Sequence, residues 1–298
     1  MRILRATILP ALTLLTVATA CRQATGAPAA AVVVAVDDLG DTVRLPTPAR
    51  RIVSLIPATT ELLFALGLGP DVVGRTTWCD YPAAAARVPN LGDGLQPNLE
   101  AVMGARPDLV VLYKSTQNEA AASRLRAQGV PTIVVSTDRL EDVPRLARLL
   151  ARLGGRTAAG DSLAEAYERD LAAATVTNSI HSASVLILAW DQPPITIGAG
   201  SFLSELVVRA GARNLFGDLP QASAPVSLEA IASRNPAFVL VVGDSAPGLA
   251  ARPEWQSVSA IRDRRFVRVP SALFSRPGPR SPEALRTLRA ALAAAGAP

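Results

Sequence analysis

Chemistry in this chain is carried by aromatic rings more than by titratable groups. Aromatic side chains are 4% of the 298 residues, yet RTTWCDYP at 75–82 gathers Trp78, Cys79 and Tyr81 in one loop. No helix or strand can bury rings there, and their flat apolar faces suit a large ligand. The parts for catalysis are missing by comparison. His181 is the only histidine and sits in a polar junction, so neither a Ser/His triad nor His-based metal chemistry has its components. A bare Zn or Mn site would need several converging His or carboxylate ligands. GAGSF at 198–202 lacks the full GxGxxG pattern, and Ser201 there suits a helix N-cap. The chain reads as a non-enzymatic binder with no resident metal and no cofactor of its own.

The elements that must position those rings follow a repeated order. RIVSL is a short apolar strand, and Thr59 and Thr60 precede a helical ELLFALG stopped at Gly67. DVVG is a second strand leading into the aromatic loop. NLEAVMGARPDLVVLY and SRLRAQGVPTIVVSTD each read as helix then strand. Continuous β-branched runs between helices imply a parallel sheet covered on both faces. Residues 157–178 carry Leu163, Ala166, Tyr167, Asp170, Leu171 and Ala174 at helical spacing, predicting one long connecting helix. A second series follows: SVLILAW, FLSELVVRAGARNLF, SLEAIASRNPAFVLVVG, RFVRVP and SPEALRTLRAALAAAG. LEAVMGARPDLVVL at 99–112 aligns with LEAIASRNPAFVLV at 228–241, sharing Leu, Glu, Ala, Pro and one Val. The expected fold is α/β, two related Rossmann-like lobes with parallel sheets, over 50–156 and 179–298, joined by the helix at 157–178.

Ligands of open parallel sheets bind beyond the carboxyl ends of the strands. Trp78, Tyr81, Tyr113, Trp190 and Phe274 all fall just past predicted strand ends, in both lobes. They predict an interlobe cleft, with Tyr81 serving more as a loop anchor. Phe64, Tyr167, Phe202, Phe238 and Trp255 fall inside elements, where core packing accounts for them.

Residues 1–20 combine basic Arg2 and Arg5, an apolar run and small residues, the pattern of a secretory signal peptide. Ala18-Thr19-Ala20-Cys21 is similar to a bacterial lipobox, which makes Cys21 a lipidation candidate. Residues 21–49 would then be a lipid-anchored tether and lead-in, on the outer face of the cell membrane or in the periplasm. Loss of Arg2 and Arg5 changes the charge from 30 − 25 = +5 to 28 − 25 = +3. The sequence pI of about 10.0 comes with scattered arginines, so no nucleic-acid partner is expected. Past the signal, Cys79 is left without a cysteine to pair with.

SLIPATTELLFALGLGPDVVG, WCDYP, PNLEAVMGARPDLVV, SFLSELVVRAGARNLF, SLEAIASRNPAFVLVV and RPGPRSPEAL together resemble the cobalamin and iron–siderophore family of periplasmic binding proteins. The likeness runs from about Arg51 to the C-terminus and is closest to the cobalamin-binding branch. It implies little hinge motion, a monomer that captures a corrinoid, and delivery to an ABC permease dimer with its ATPase subunits. By position, Trp78 matches a ring that stacks on the corrin, and Tyr113 matches a second. A third ring of the family falls near Gly94, which has no side chain to stack. Phe274 and Arg276 occupy the family's C-lobe ligand loop. Glu100 and Glu229 sit at equivalent helix starts, where a carboxylate suits the helix dipole; the resemblance implies that they dock on permease arginines. A ferric siderophore or heme is the alternative ligand of the same family.

Overall fold

The computed structural model of the chain describes residues 32–177, 183–243 and 248–296. The expected signal peptide, Cys21 and His181 lie outside the described residues. Two strands come first, β1 (Val33–Val36) and β2 (Thr42–Leu45), paired as an antiparallel hairpin. The lead-in is thus partly folded. Asp37 ties it down: its carboxylate accepts from the Leu39, Asp41 and Val134 amides and pairs with Arg126.

The first half then runs β3 (Ile52–Ser54), α1 (Pro57–Ala65), β4 (Val72–Arg75), α2 (Leu99–Gly104), β5 (Leu109–Tyr113), α3 (Thr116–Ala127), β6 (Thr132–Val135) and α4 (Asp142–Leu153). Its four strands form a parallel sheet in the order β4-β3-β5-β6. Residues Leu109, Val110, Val111, Leu112, Ile133, Val134 and Val135 are all buried, as strands covered on both faces require. α1 starts at Pro57, earlier than Thr59 and Thr60 predict. Pro at the first helical position needs no amide partner, and both threonine hydroxyls turn back to the Ile56 carbonyl.

α5 (Thr157–Ala174) leads to the second half. It ends four residues before the predicted limit, where the β-branched Thr175-Val176-Thr177 disfavours helix. Its buried stripe is Gly160, Ala164, Tyr167, Leu171 and Ala174, rotated from the predicted one because α5 packs on α4 and α10 (Ser281–Ala294). Gly160 has no Cβ for a physical reason: one would stand 2.4 Å from Ala151 Cβ on α4.

The remaining elements are β7 (Ser184–Asp191), β8 (Pro194–Ile197), α6 (Phe202–Arg209), β9 (Arg213–Asn214), β10 (Ser223–Pro225), α7 (Leu228–Arg234), β11 (Phe238–Val242), α8 (Ser259–Arg262), β12 (Phe266–Val269), α9 (Ser271–Phe274) and α10. The strands β9, β7, β11 and β12 are parallel, whereas β8 and β10 extend the sheet antiparallel from β7. That antiparallel margin departs from the all-parallel expectation. The repeat, by contrast, extends to the backbone. α7 starts 228 − 99 = 129 residues after α2, and β11 starts 238 − 109 = 129 after β5. Arg106 and Asn235, also 129 apart, are both left-handed, with φ of 49° and 45°. One apolar core runs through both halves, from Leu62 and Leu146 through Tyr167 and Leu171 to Leu206, Leu285 and Leu288.

Candidate functional site

A cleft of about 550 Å³ opens where the loops after β3, β4, β5 and β6 face the segments at Ser201–Phe202 and Ser275–Pro277. Each loop is presented by a polar tie. In the aromatic loop, Cys79 is fully buried, its Sγ 3.1 Å from Thr60 Oγ1 and 3.2 Å from Thr76 Oγ1. Ser54, Thr59 and Thr60 complete this knot of hydroxyls against α1. Pinning Cys79 inward leaves its neighbour Trp78 at 64% exposure, an unusual state for so large a ring. Tyr81 does not line the cleft; its ring lies 3.6 Å from the Arg280 guanidinium, a cation–π contact that anchors the loop.

The opposite aromatic is Tyr113, half-buried at the end of β5, whose hydroxyl donates to Asp138 Oδ1 at 2.8 Å. Burial, then the Asp138 hydrogen bond and charge, push its pKa up to about 12. The phenol stays neutral and aimed at the carboxylate. Between the rings, Gly94 is laid against the Leu55 carbonyl so closely that a Cβ would meet that oxygen at 2.2 Å. A ring is therefore excluded from that position, and Leu95, 59% exposed, lines the cleft instead.

Two sets of polar contacts cross between the halves at this cleft. The Phe202 amide donates to the Asp138 carbonyl at 2.9 Å, Arg139 Nη1 to the Ala199 carbonyl at 3.1 Å, and Arg139 pairs with Glu205. On the other flank Glu61 of α1 accepts Arg276 Nε at 2.8 Å and Arg280 Nε at 3.0 Å. Arg276 also pairs with Asp80. Burial alone would lower the Arg276 pKa, but the Glu61 and Asp80 hydrogen bonds and charges raise it above its ordinary value. Among the described residues the charged groups lining the cleft are Asp80, Asp93, Asp138 and Arg276, three carboxylates against one guanidinium that is already paired.

Three of the residues expected from sequence, Trp78, Tyr113 and Arg276, come together in this cleft. Phe274 does not: it is 1% exposed within the core, because the short turn of α9 rotates it inward and gives the cleft Ser275 and Arg276. Trp190 is also absent from the lining. β7 runs past the predicted strand end to pair with β8, a bulge falls between Leu188 and Trp190, and the ring stands 60% exposed on that antiparallel arm. Sequence reasoning missed Leu95, Asp138, Phe202 and the buried Glu61. Glu61 did carry a signal: an acid inside the apolar ELLFALG helix must find a partner.

Glu100 and Glu229 are each the second residue of their helices, exposed, and preceded by a capping side chain. Asn98 accepts from Ala101 N and Ser227 from Ala230 N, both at 3.1 Å, so capping is done without the carboxylates. Hydrogen bonding to its own amide, then to Ser227, lowers the Glu229 pKa.

A larger hollow of about 1600 Å³ lies beside α4, α5 and α6. Its walls are paired charges such as Arg145–Asp38 at 2.7 Å and Arg148–Glu168 at 3.1 Å. Among the described residues its single ring is Tyr167, which is buried and offers no exposed aromatic face like that of the smaller cleft.

Residues 52–273 match the family model described as periplasmic binding protein. A vitamin B12-binding protein of Pectobacterium carotovorum subsp. carotovorum (strain PC1) is 26% identical over 78% of this chain and 84% of its own length. An uncharacterised ABC transporter substrate-binding lipoprotein of Bacillus subtilis (strain 168) is 29% identical, over 86% of this chain and 84% of its own length. Among solved structures, the apo form of a periplasmic heme-binding protein from Roseiflexus sp. RS-1 superposes with a TM-score of 0.74. It is 27% identical, covering 83% of this chain and 99% of that one.

Proposed function

The chain belongs to the periplasmic binding protein family, and on that premise we propose that its cleft captures a corrinoid between the two halves. Members of this family bind and deliver a small ligand rather than transform it, and work outside the cytoplasm with the permease and ATPase components of an ABC importer. The observation that carries the corrinoid reading is the pairing of an exposed Trp78 ring with an electronegative, cation-poor lining. A ring face favours a broad flat ligand. Carboxylates such as Asp93 favour a ligand that is neutral or cationic and bears amide donors. Corrinoids combine those properties. The vitamin B12-binding relative supports the same choice.

Heme is the second reading, favoured by the likeness to the heme-binding structure. Against it, the Tyr113 hydroxyl is held by Asp138 and Arg276 is already paired with Glu61 and Asp80, so among the described residues of the cleft no unpaired cation faces a propionate. A ferric siderophore with carboxylate or catecholate groups meets the same obstacle.

Visible-absorbance and calorimetric titrations with cobalamin, cobinamide, hemin and a ferric hydroxamate test the reading. Saturable one-to-one binding of a corrinoid is expected. Binding of hemin or the hydroxamate with no response to either corrinoid would overturn it. Anchoring through Cys21 belongs to the same proposal: Cys21→Ala should move the protein from the membrane fraction to the soluble one.

A further inference from the structure

We propose that Asp80 sets the charge of the ligand this cleft accepts, by supplying an internal counter-ion to Arg276 from the opposite half of the protein. The inference rests on the reading of this cleft as the ligand site. Asp80 and Arg276 both line it, and they are 196 positions apart in the chain. Arg276 cannot swing freely, because its Nε is held by Glu61 Oε1 at 2.8 Å. Glu61 is in turn held by Arg280 through both carboxylate oxygens, at 2.9 and 3.0 Å. Two carboxylates and two guanidinium groups thus close a neutral cluster.

The two acids differ in what can replace them. The Glu61 side chain is 2% exposed and fixed between two arginines, whereas the Asp80 side chain is 69% exposed. Only the Asp80 side of this pair faces solvent, the Arg276 side chain being 15% exposed, so Asp80 is the partner that water screens. A ligand carboxylate that reaches Arg276 therefore stands beside the Asp80 charge and is repelled by it. A ligand amide meets no such repulsion, and Arg276 Nη1, which makes no hydrogen bond among the described residues, is left to donate to its carbonyl. Discrimination arises from a repulsive element aimed at the wrong ligand. Asp80→Asn keeps the size of the side chain and leaves the cluster with one uncompensated positive charge facing the cleft.

The test compares two corrinoids that differ in one charge: cobinamide, whose propionate side chain is amidated, and cobyric acid, which bears the free carboxylate. The wild-type protein should prefer cobinamide. Asp80→Asn should raise the affinity for cobyric acid relative to cobinamide by about tenfold, the scale of one solvent-facing like charge. The double variant Asp80→Asn/Arg276→Gln should lose that gain, with thermal melts verifying that both variants fold. An equal change for both probes, or none, would overturn the inference while leaving the corrinoid reading intact. If neither corrinoid binds the wild type, the corrinoid reading fails by itself. Hemin against its dimethyl ester then decides the role of Asp80 by the same ratio.

Discussion

Replacing Glu61 by Ala isolates the energetic worth of the cluster that joins the two halves beside the cleft. The carboxylate is 2% exposed, and the guanidinium groups of Arg276 and Arg280 are 15% and 18% exposed. Removing one partner of a buried ion pair costs about 3–5 kcal/mol, because the remaining charge is stranded. Here the stranded charges keep part of their company. Arg276 retains Asp80, and Arg280 retains the Ala272 carbonyl at 2.8 Å and the Tyr81 ring. The lower end, about 3 kcal/mol, is therefore expected. At roughly 2–4 °C per kcal/mol for a chain approaching this size, the midpoint should fall by about 6–12 °C. Thermal melts followed by circular dichroism measure it, with Glu61→Gln expected in between since it keeps the acceptor and loses the charge. A fall of less than about 2 °C for Glu61→Ala would mean that the two arginines simply rehydrate, and the cluster would then contribute nothing to holding the halves together.

Trp78→Ala should weaken corrinoid binding by roughly one to two powers of ten, taking about 1–3 kcal/mol for a stacked ring; unchanged affinity with an intact fold would remove Trp78 from the site. Tyr113 should titrate late in an ultraviolet difference titration, since its folded pKa of about 12 exceeds the ordinary phenol value of 10.0. The raised value means that its stabilising contribution is full below pH about 10 and is lost as pH rises through about 12. Tyr113→Phe should delete one such late phenol, and loss of a phenol that titrates near its ordinary value instead would contradict the burial and the Asp138 hydrogen bond that raise it. Charge reversal at Glu100→Arg with Glu229→Arg should abolish uptake in cells while ligand affinity in solution stays within about twofold. Sustained transport by that double variant would leave the two acids with a helix-start role alone.

Much of the fold could be read from the chain because its strongest signals are local. The buried runs of β5 and β6 hold no polar residue except Thr132 and Tyr113, and such runs belong to parallel sheets covered on both faces. The repeat at an offset of 129 was legible for the same reason, and the structure extends it to the left-handed Arg106 and Asn235 ahead of their prolines. What local pattern does not carry is pairing. β8 and β10 are short, and only their partners make them strands. The cleft divides along the same line. Trp78 and Tyr113 were placed at the cleft because position past a strand end is a local property, and Arg276 through the family resemblance of its loop. Phe274 and Trp190 satisfy that rule too, yet a one-turn helix buries the first and a bulged antiparallel arm diverts the second. The contact between Glu61 and Arg276 spans 215 positions, and nothing near either residue names the other. Cys79 stands between the cases: its lack of a second cysteine was plain, whereas its role as the buried pin that turns Trp78 outward needed the surrounding threonines.

A crystal structure of the protein soaked or grown with cobinamide tests the central claim most directly. The account predicts the corrin ring seated in the 550 Å³ cleft, one face against Trp78, with Tyr113 and Arg276 at its edge. A ring bound instead in the hollow beside α4, α5 and α6, or a cleft occupied with Trp78 untouched, would contradict it.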